Sequence, residues 1–197
     1  MPVTQYLTAA TLDGFIADED NSLGWLFTVP QGEGSDERWA TFMDDVGAMA
    51  MGATTYLWCL DHDSLLENPD KWREYYAERP CWVFTHRDLP AIPGVDLRFV
   101  QGDVVPTHAD MLAAAAGKNV WLVGGGELVG SFHDAGLLDE VRVQVAPVTL
   151  GAGAPVLPRR IEDLRLRSVH QNGQFAELTY DVTGSQASRP RGPSAEG

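Results

Sequence analysis

Val120-Trp121-Leu122-Val123-Gly124-Gly125-Gly126-Glu127-Leu128 is an apolar run that enters three consecutive glycines and leaves them into a second apolar segment. Its first four residues predict a buried strand, while Leu128, Val129 and Phe132, followed by Gly136, predict a helix ended by glycine. A strand passed through glycine to a helix start lets a ligand approach the backbone. The unpaired N–H groups of the first helical turn then attract an anion such as a pyrophosphate. A tight turn in which glycine only relieves steric conflict is the alternative at this point. The GxGxxG fingerprint is not met, because Val129 fills its sixth position, and the junction comes too late in the chain for a second βαβ half. A Rossmann domain is therefore disfavoured. No Gly-Lys-Ser/Thr occurs, so a Walker loop is excluded.

Upstream, Ala48-Met49-Ala50-Met51-Gly52-Ala53-Thr54-Thr55-Tyr56 repeats the pattern of strand, glycine and helix start. Thr54 or Thr55 either caps that helix or shares its N–H groups with a second phosphate. The strand Cys81 to Thr85 empties into the basic pair His86-Arg87. Further strands are predicted at Val3 to Thr11, Asp96 to Val100, Val141 to Val148, Leu164 to His170 and Phe175 to Val182, giving about eight. Trp39, Phe42, Met43 and Val46 make the stripe of a helix starting near Ser35 or Asp36. Thr107 and Asp110 open another that runs through Met111 to Ala116 and stops at Gly117, and a weaker one spans Pro69 to Glu78. Alternation of strand and helix followed by strands and turns predicts an α/β fold: three layers, with a mixed, mostly parallel eight-stranded sheet flanked by helices.

The chain has 197 residues, of which 44% are hydrophobic and 21% charged, which fits one globular domain. That domain is expected over 1–182, and residues 183–197, rich in Gly, Ser, Pro and Arg, are expected to form a disordered tail. A net charge of −14 repels nucleic-acid phosphate and acidic lipid, so neither is an expected partner. With no basic-then-apolar leader and no membrane-length apolar run, a cytoplasmic location is expected. Cys59 and Cys81 have neither zinc nor disulfide spacing and are expected to be buried thiols. The triplets Asp18-Glu19-Asp20 and Asp61-His62-Asp63 fit solvated loops better than a metal site. No GxSxG elbow exists, and Ser131 and His133 stand on different faces of one helix.

With these junctions in place the sequence resembles the dihydrofolate reductase superfamily, and within it the branch holding the reductase domain of the riboflavin-pathway bifunctional deaminase-reductase. The carriers, spread over residues 3–182, are Thr11-Leu12-Asp13-Gly14-Phe15-Ile16-Ala17, Met51-Gly52-Ala53-Thr54-Thr55-Tyr56, Val123-Gly124-Gly125-Gly126-Glu127-Leu128, and Ala146-Pro147-Val148-Thr149-Leu150-Gly151-Ala152-Gly153. The resemblance implies a homodimeric, NADPH-dependent reductase. Val123, Gly124, Gly125, Gly126, Glu127 and Leu128 would hold the pyrophosphate, and Gly52, Thr54 and Thr55 the adjoining phosphate and ribose. Ile16 and Ala17 would border the nicotinamide, and Thr85, His86 and Arg87 would flank the adenosine. Family members usually carry Arg or Lys after the glycine of the second motif to pair with the 2′-phosphate of NADPH. This chain has Ala53, which makes NADH an alternative unless Arg87 or His86 replaces the base.

Reduction of a C=N or C=O group also needs a proton. Asp36 shares the apolar stripe of its helix, and it lies sixteen residues before Gly52, where the resembled reductases anchor their substrate. Helix capping accounts equally for an Asp there. Asp13 is the second candidate acid, at the end of the first strand. Trp25 closes the polar segment Asp18 to Trp25, which matches the mobile loop over the nicotinamide. The acceptor is expected to be a small heteroaromatic (pterin- or pyrimidine-like) or carbonyl compound, because no Lys/Arg cluster suited to a phosphoribosyl group is apparent. The alternatives are the phosphoribosylaminouracil reductase of riboflavin biosynthesis and a binding module of the same fold without catalysis. A metal-dependent phosphotransferase is the third class.

Overall fold

A computed structural model of the chain describes residues 1–184. In chain order it forms β1 (Thr4–Thr11), β2 (Phe15–Ala17), α1 (Ser35–Asp44), β3 (Val46–Gly52), α2 (Ala53–Asp63), α3 (Asp70–Tyr76), β4 (Cys81–Phe84) and β5 (Leu97–Val100). Then follow α4 (Val104–Ala114), β6 (Asn119–Gly124), α5 (Gly126–Asp134), β7 (Glu140–Ala146), β8 (Ala154–Pro155), β9 (Leu164–Asn172) and β10 (Phe175–Val182). Eight strands make one sheet in the order β5-β4-β3-β6-β1-β7-β10-β9, and β2 pairs with β8 in a separate ribbon. Neighbours from β5 to β7 are parallel, whereas β10 is antiparallel to both β7 and β9.

Parallel strands covered on both faces need apolar residues at every position. Ala48 to Met51 and Val120 to Leu122 meet that demand and are buried. On one face Tyr6, Ala50 and Leu122 pack with Met111 of α4 and with Val129 and Phe132 of α5. On the other, Met49, Met51 and Trp121 pack with Phe42 of α1, Tyr56 of α2 and Trp72 of α3. These are the three layers expected. Among the described residues no helix is long and apolar enough to cross a membrane, and Cys59 and Cys81 are buried free thiols.

Several boundaries differ from the sequence expectation. Helix α4 begins at Val104, before the expected Thr107, because the Asp103 side chain accepts the Val105 N–H (3.0 Å). Pro106 then falls in the first turn, where its missing donor costs nothing. Val46, the expected last member of the α1 stripe, opens β3, since the helix ends at Asp44 and the sheet takes up the buried side chain. Strand β7 stops at Ala146, two residues before the expected Val148. The short β2–β8 ribbon is not among the expected strands. Thr183 donates to the Asp163 carbonyl through its N–H and its hydroxyl (2.9 Å each), and the Gly184 N–H donates to the Asp163 carboxylate (3.0 Å). The rest of the expected tail lies outside the described residues.

Candidate functional site

The parallel register brings the C-terminal ends of β1, β3 and β6 side by side, with β6 between the other two. Helices α2 and α5 start from the ends of β3 and β6, so both aim their N-termini at one cleft of about 290 Å³. It is lined by Ile16, Ala17, Thr54, Thr55, Val123, Gly124, Gly125, Gly126 and Glu127.

The three glycines divide the work. Gly124 has φ +141°, a conformation that L side chains rarely adopt, and the Gly124–Gly125 peptide is cis. A Cβ on Gly125 would meet nothing nearer than the Ile16 Cδ1 at 3.9 Å, so this peptide stays bare towards the cleft. A Cβ on Gly126 would stand 2.6 Å from the carbonyl oxygens of Pro155 and Val156. The third glycine therefore serves helix packing. Gly52 stands behind the turn, its would-be Cβ 3.8 Å from the Gly125 nitrogen. Gly52 is also the N-cap of α2, with no side chain capping it. Thr54 and Thr55 are thus not the cap, and both line the cleft. Glu127, a carboxylate in the first turn of α5, is held by the Arg159 Nη1 at 2.8 Å, whose Nε reaches Asp134 at 2.9 Å. Arg159 offsets the charge that Glu127 would otherwise set against an anion.

Across the cleft Trp25, buried to 9% exposure, leaves its indole N–H without a hydrogen-bond partner among the described residues. Trp58 of α2 lines the same space. Phe27, two residues after Trp25, stacks on His62 (centroids 5.2 Å) and on Trp58 (6.4 Å), while Trp58 and His62 stack at 4.4 Å. The opposite wall is the ribbon: Ala17 pairs with Ala154, and Pro155 and Pro158 enter the lining. Gly153 (φ +143°) is needed there, because a Cβ would collide with the Ala17 carbonyl.

The two candidate acids lie elsewhere. Asp13 accepts from the Thr11 hydroxyl (2.5 Å) and from the Leu150 and Gly151 N–H groups (3.0 and 2.7 Å). Those bonds, led by Thr11 and then Gly151, hold its carboxyl below the usual range. Asp13 pins the 149–151 turn; a proton donor needs the opposite shift. Asp36 is exposed in the first turn of α1 and borders a second cleft, of about 510 Å³, which Leu7 of β1 lines while Thr8 lines the first. In that second cleft Arg38 and Arg142 face Asp36, Asp45 and Glu177. Arg38 is engaged by Asn172 (2.6 Å) and Arg142 by Glu140.

A third cleft, of about 550 Å³, lies beyond α5 and is lined by Thr85, His86 and Leu128; Arg87 is not part of that lining. Glu127 of α5 lines the first cleft and the next residue, Leu128, lines this one. Most of the residues expected at a cofactor therefore line one or the other of these two clefts. Trp58, Thr8, Asn21 and the ribbon prolines are additions. For Trp58 a signal existed, since it stands four residues after Thr54 on one helical face; for Thr8 and Asn21 there was none.

Fold and cleft together define an α/β domain of the dihydrofolate reductase-like class. The chain belongs to the RibD C-terminal domain family, whose model matches residues 2–175. It is 32% identical over 174 residues to the uncharacterized protein YwjB of Bacillus subtilis (strain 168), covering 87% of this chain and 93% of that protein. Among solved structures it resembles a putative riboflavin biosynthesis protein from Shewanella sp. PV-4 with 24% identity and a TM-score of 0.73, covering 91% of this chain and 98% of that one. It also resembles the Thermotoga maritima diaminohydroxyphosphoribosylaminopyrimidine deaminase/5-amino-6-(5-phosphoribosylamino)uracil reductase, with 16% identity and a TM-score of 0.62. That match covers 92% of this chain and 56% of the Thermotoga chain.

Proposed function

We propose that this protein is a cytoplasmic, homodimeric reductase that takes a hydride from a reduced nicotinamide dinucleotide, NADPH or NADH. The acceptor is a small heteroaromatic (pterin- or pyrimidine-like) or carbonyl compound. One observation carries the reading: the bare Gly124–Gly125 peptide and the uncapped N-terminus of α2 face one cleft of about 290 Å³, and the next turn of α5 lines a further cleft of about 550 Å³. Such an arrangement fits an extended dinucleotide with its pyrophosphate at the glycine turn. The bound nicotinamide would supply the hydride.

The chain's own residues do the rest. Thr54 and Thr55 offer hydroxyls to the phosphate and ribose. Ile16, Ala17 and Trp58 give the small cleft apolar walls, and Trp25 closes it against water. Glu127 is the one carboxylate of that lining, and Arg159 holds it. We assign the proton to water, so Asp13→Asn and Asp36→Asn should each retain the reaction rather than abolish it, with reduced substrate affinity only for Asp36→Asn, whose carboxylate borders the second cleft.

The acceptor is better neutral than phosphorylated. In the second cleft three carboxylates outnumber two arginines, of which Arg142 is paired with Glu140 and Arg38 donates to the neutral Asn172 amide oxygen (2.6 Å). A phosphoribosyl group, as named for the Thermotoga reductase, would meet more negative than positive charge in that lining.

The test is absorbance at 340 nm during incubation of NADPH or NADH with pterin, pyrimidine and carbonyl acceptors. Oxidation that depends on the acceptor supports the reading. Saturable binding without oxidation across the panel sinks it in favour of a non-catalytic binding module.

A further inference from the structure

We infer that this protein selects NADH over NADPH through the acidic lining of its third cleft; the inference rests on the dinucleotide reading above. The track from the small cleft across Glu127 and Leu128 leaves the adenosine half of the ligand among Thr85, His86, Asp103, Ser131 and Asp134. Two carboxylates stand in that lining, and His86 is its one residue able to carry positive charge.

The carboxylates are not equally engaged. The Asp134 Oδ2 accepts from the Arg159 Nε (2.9 Å). The Asp103 Oδ1 accepts the Val105 N–H (3.0 Å), and its second oxygen makes no hydrogen bond among the described residues. A free carboxylate oxygen accepts hydrogen bonds and gives none. It suits the two hydroxyls of an unmodified ribose, as the acidic residue does in dinucleotide-binding folds of other architecture. A 2′-phosphate offers the same oxygen only negative charge, which is selection by repulsion.

The positions where a base would offset this are vacant or turned aside. Strands β3 and β4 are in register at Gly52 and Phe84, so Ala53 and Thr85 follow at neighbouring strand ends, and Ala53 is outside the cleft's lining. Its methyl group has nothing to offer a phosphate. Arg87 follows the turn in which its own N–H donates to the Thr85 Oγ1 (2.9 Å), and its side chain is exposed outside the lining. Arg159 is shared between Glu127 and Asp134.

The experiment is calorimetric titration of the full chain with NADH, NADPH, 5′-AMP and 2′,5′-ADP, which reads binding independently of any acceptor. NADH is expected to bind at least about tenfold more tightly than NADPH, and 5′-AMP more tightly than 2′,5′-ADP. Asp103→Asn keeps a helix-capping side chain and should narrow the NADH preference at unchanged Tm. Ala53→Arg should raise NADPH affinity while leaving NADH affinity within about threefold. Equal binding of the two coenzymes overturns the inference, and so does tighter NADPH binding that Arg87→Ala abolishes. Both of those results leave the dinucleotide reading standing. Binding of neither coenzyme overturns that reading and this inference together.

Discussion

At the level of single residues, Gly125 and Gly126 are neighbours with opposite duties, and one methyl group separates them experimentally. An alanine Cβ at 126 would lie 2.6 Å from two backbone carbonyl oxygens, which cannot yield without moving β8. Gly126→Ala should lower stability by about 1–3 kcal/mol, the cost of overpacking, visible as a fall in Tm or in the urea midpoint. At 125 the methyl group enters the open cleft, and φ −80° with ψ 177° suits alanine. Gly125→Ala should keep the Tm within about 2 °C and weaken dinucleotide binding at least about tenfold. If both variants bind coenzyme like the parent, the glycine turn is structural throughout. Asp13 gives a second prediction at this scale. Its folded-state pKa lies below the unfolded value of 3.8, held there by Thr11 first and Gly151 next. The stabilisation is therefore present above about pH 4 and lost as pH falls through the lower folded-state pKa. Melting curves between pH 2.5 and 6 should show a steeper acid loss for the parent than for Asp13→Asn, and identical slopes would remove Asp13 from the acid response.

Between elements, the decisive contact is the aromatic stack that ties the loop after β2 to α2. Phe27 is 63% exposed yet lies flat on His62 and beside Trp58, while the adjacent Trp25 and Leu26 line the small cleft. Aromatic pairs of this kind contribute about 0.5–1.5 kcal/mol, small against the fold but large for a loop that must open to admit a ligand. Phe27→Ala should therefore leave the Tm nearly unchanged while raising the dissociation rate of bound dinucleotide severalfold, measured by stopped-flow Trp fluorescence. An unchanged rate would show that the loop is held elsewhere. The stack was illegible in the sequence, because Phe27 and His62 are far apart in the chain and neither belongs to a periodic pattern. The glycine junctions were legible for the opposite reason: strand, turn and helix start are contiguous, so local spacing carries their three-dimensional meaning. Asp36 fell between these cases. Counting back from Gly52 reaches the first turn of α1, where Asp36 borders the second cleft and not the first.

For the whole molecule the question is how the sheet ends. Strand β9 is an outer strand of nine residues, and its far edge has no partner among the described residues. Its pairing with β10 slips at Thr179/Tyr180, so that Ser168 faces Thr179 and Leu166 faces Tyr180, with Arg167 bulged between them. Because side chains alternate along a strand, the extra residue resets the parity. Leu164 and Leu166 before the bulge and Val169 after it consequently share one face, opposite Val182, Tyr180 and Leu178. They are 36%, 52% and 63% exposed. An edge carrying an apolar stripe is ordinarily blunted by charge or covered by a partner chain. Arg165 and Arg167 are both tied to Asp181 and leave the stripe itself uncharged. A second copy meeting this edge about a two-fold axis would pair strand with strand and set the two stripes side by side on one face of a continuous sheet, a homodimer of the kind expected for the family. Sedimentation velocity should then give a dimer for the parent and a folded monomer for Leu166→Lys, because a charge at the centre of the stripe would face its own copy across the axis. A monomeric parent, or a dimer indifferent to Leu166→Lys, would reject assembly through β9.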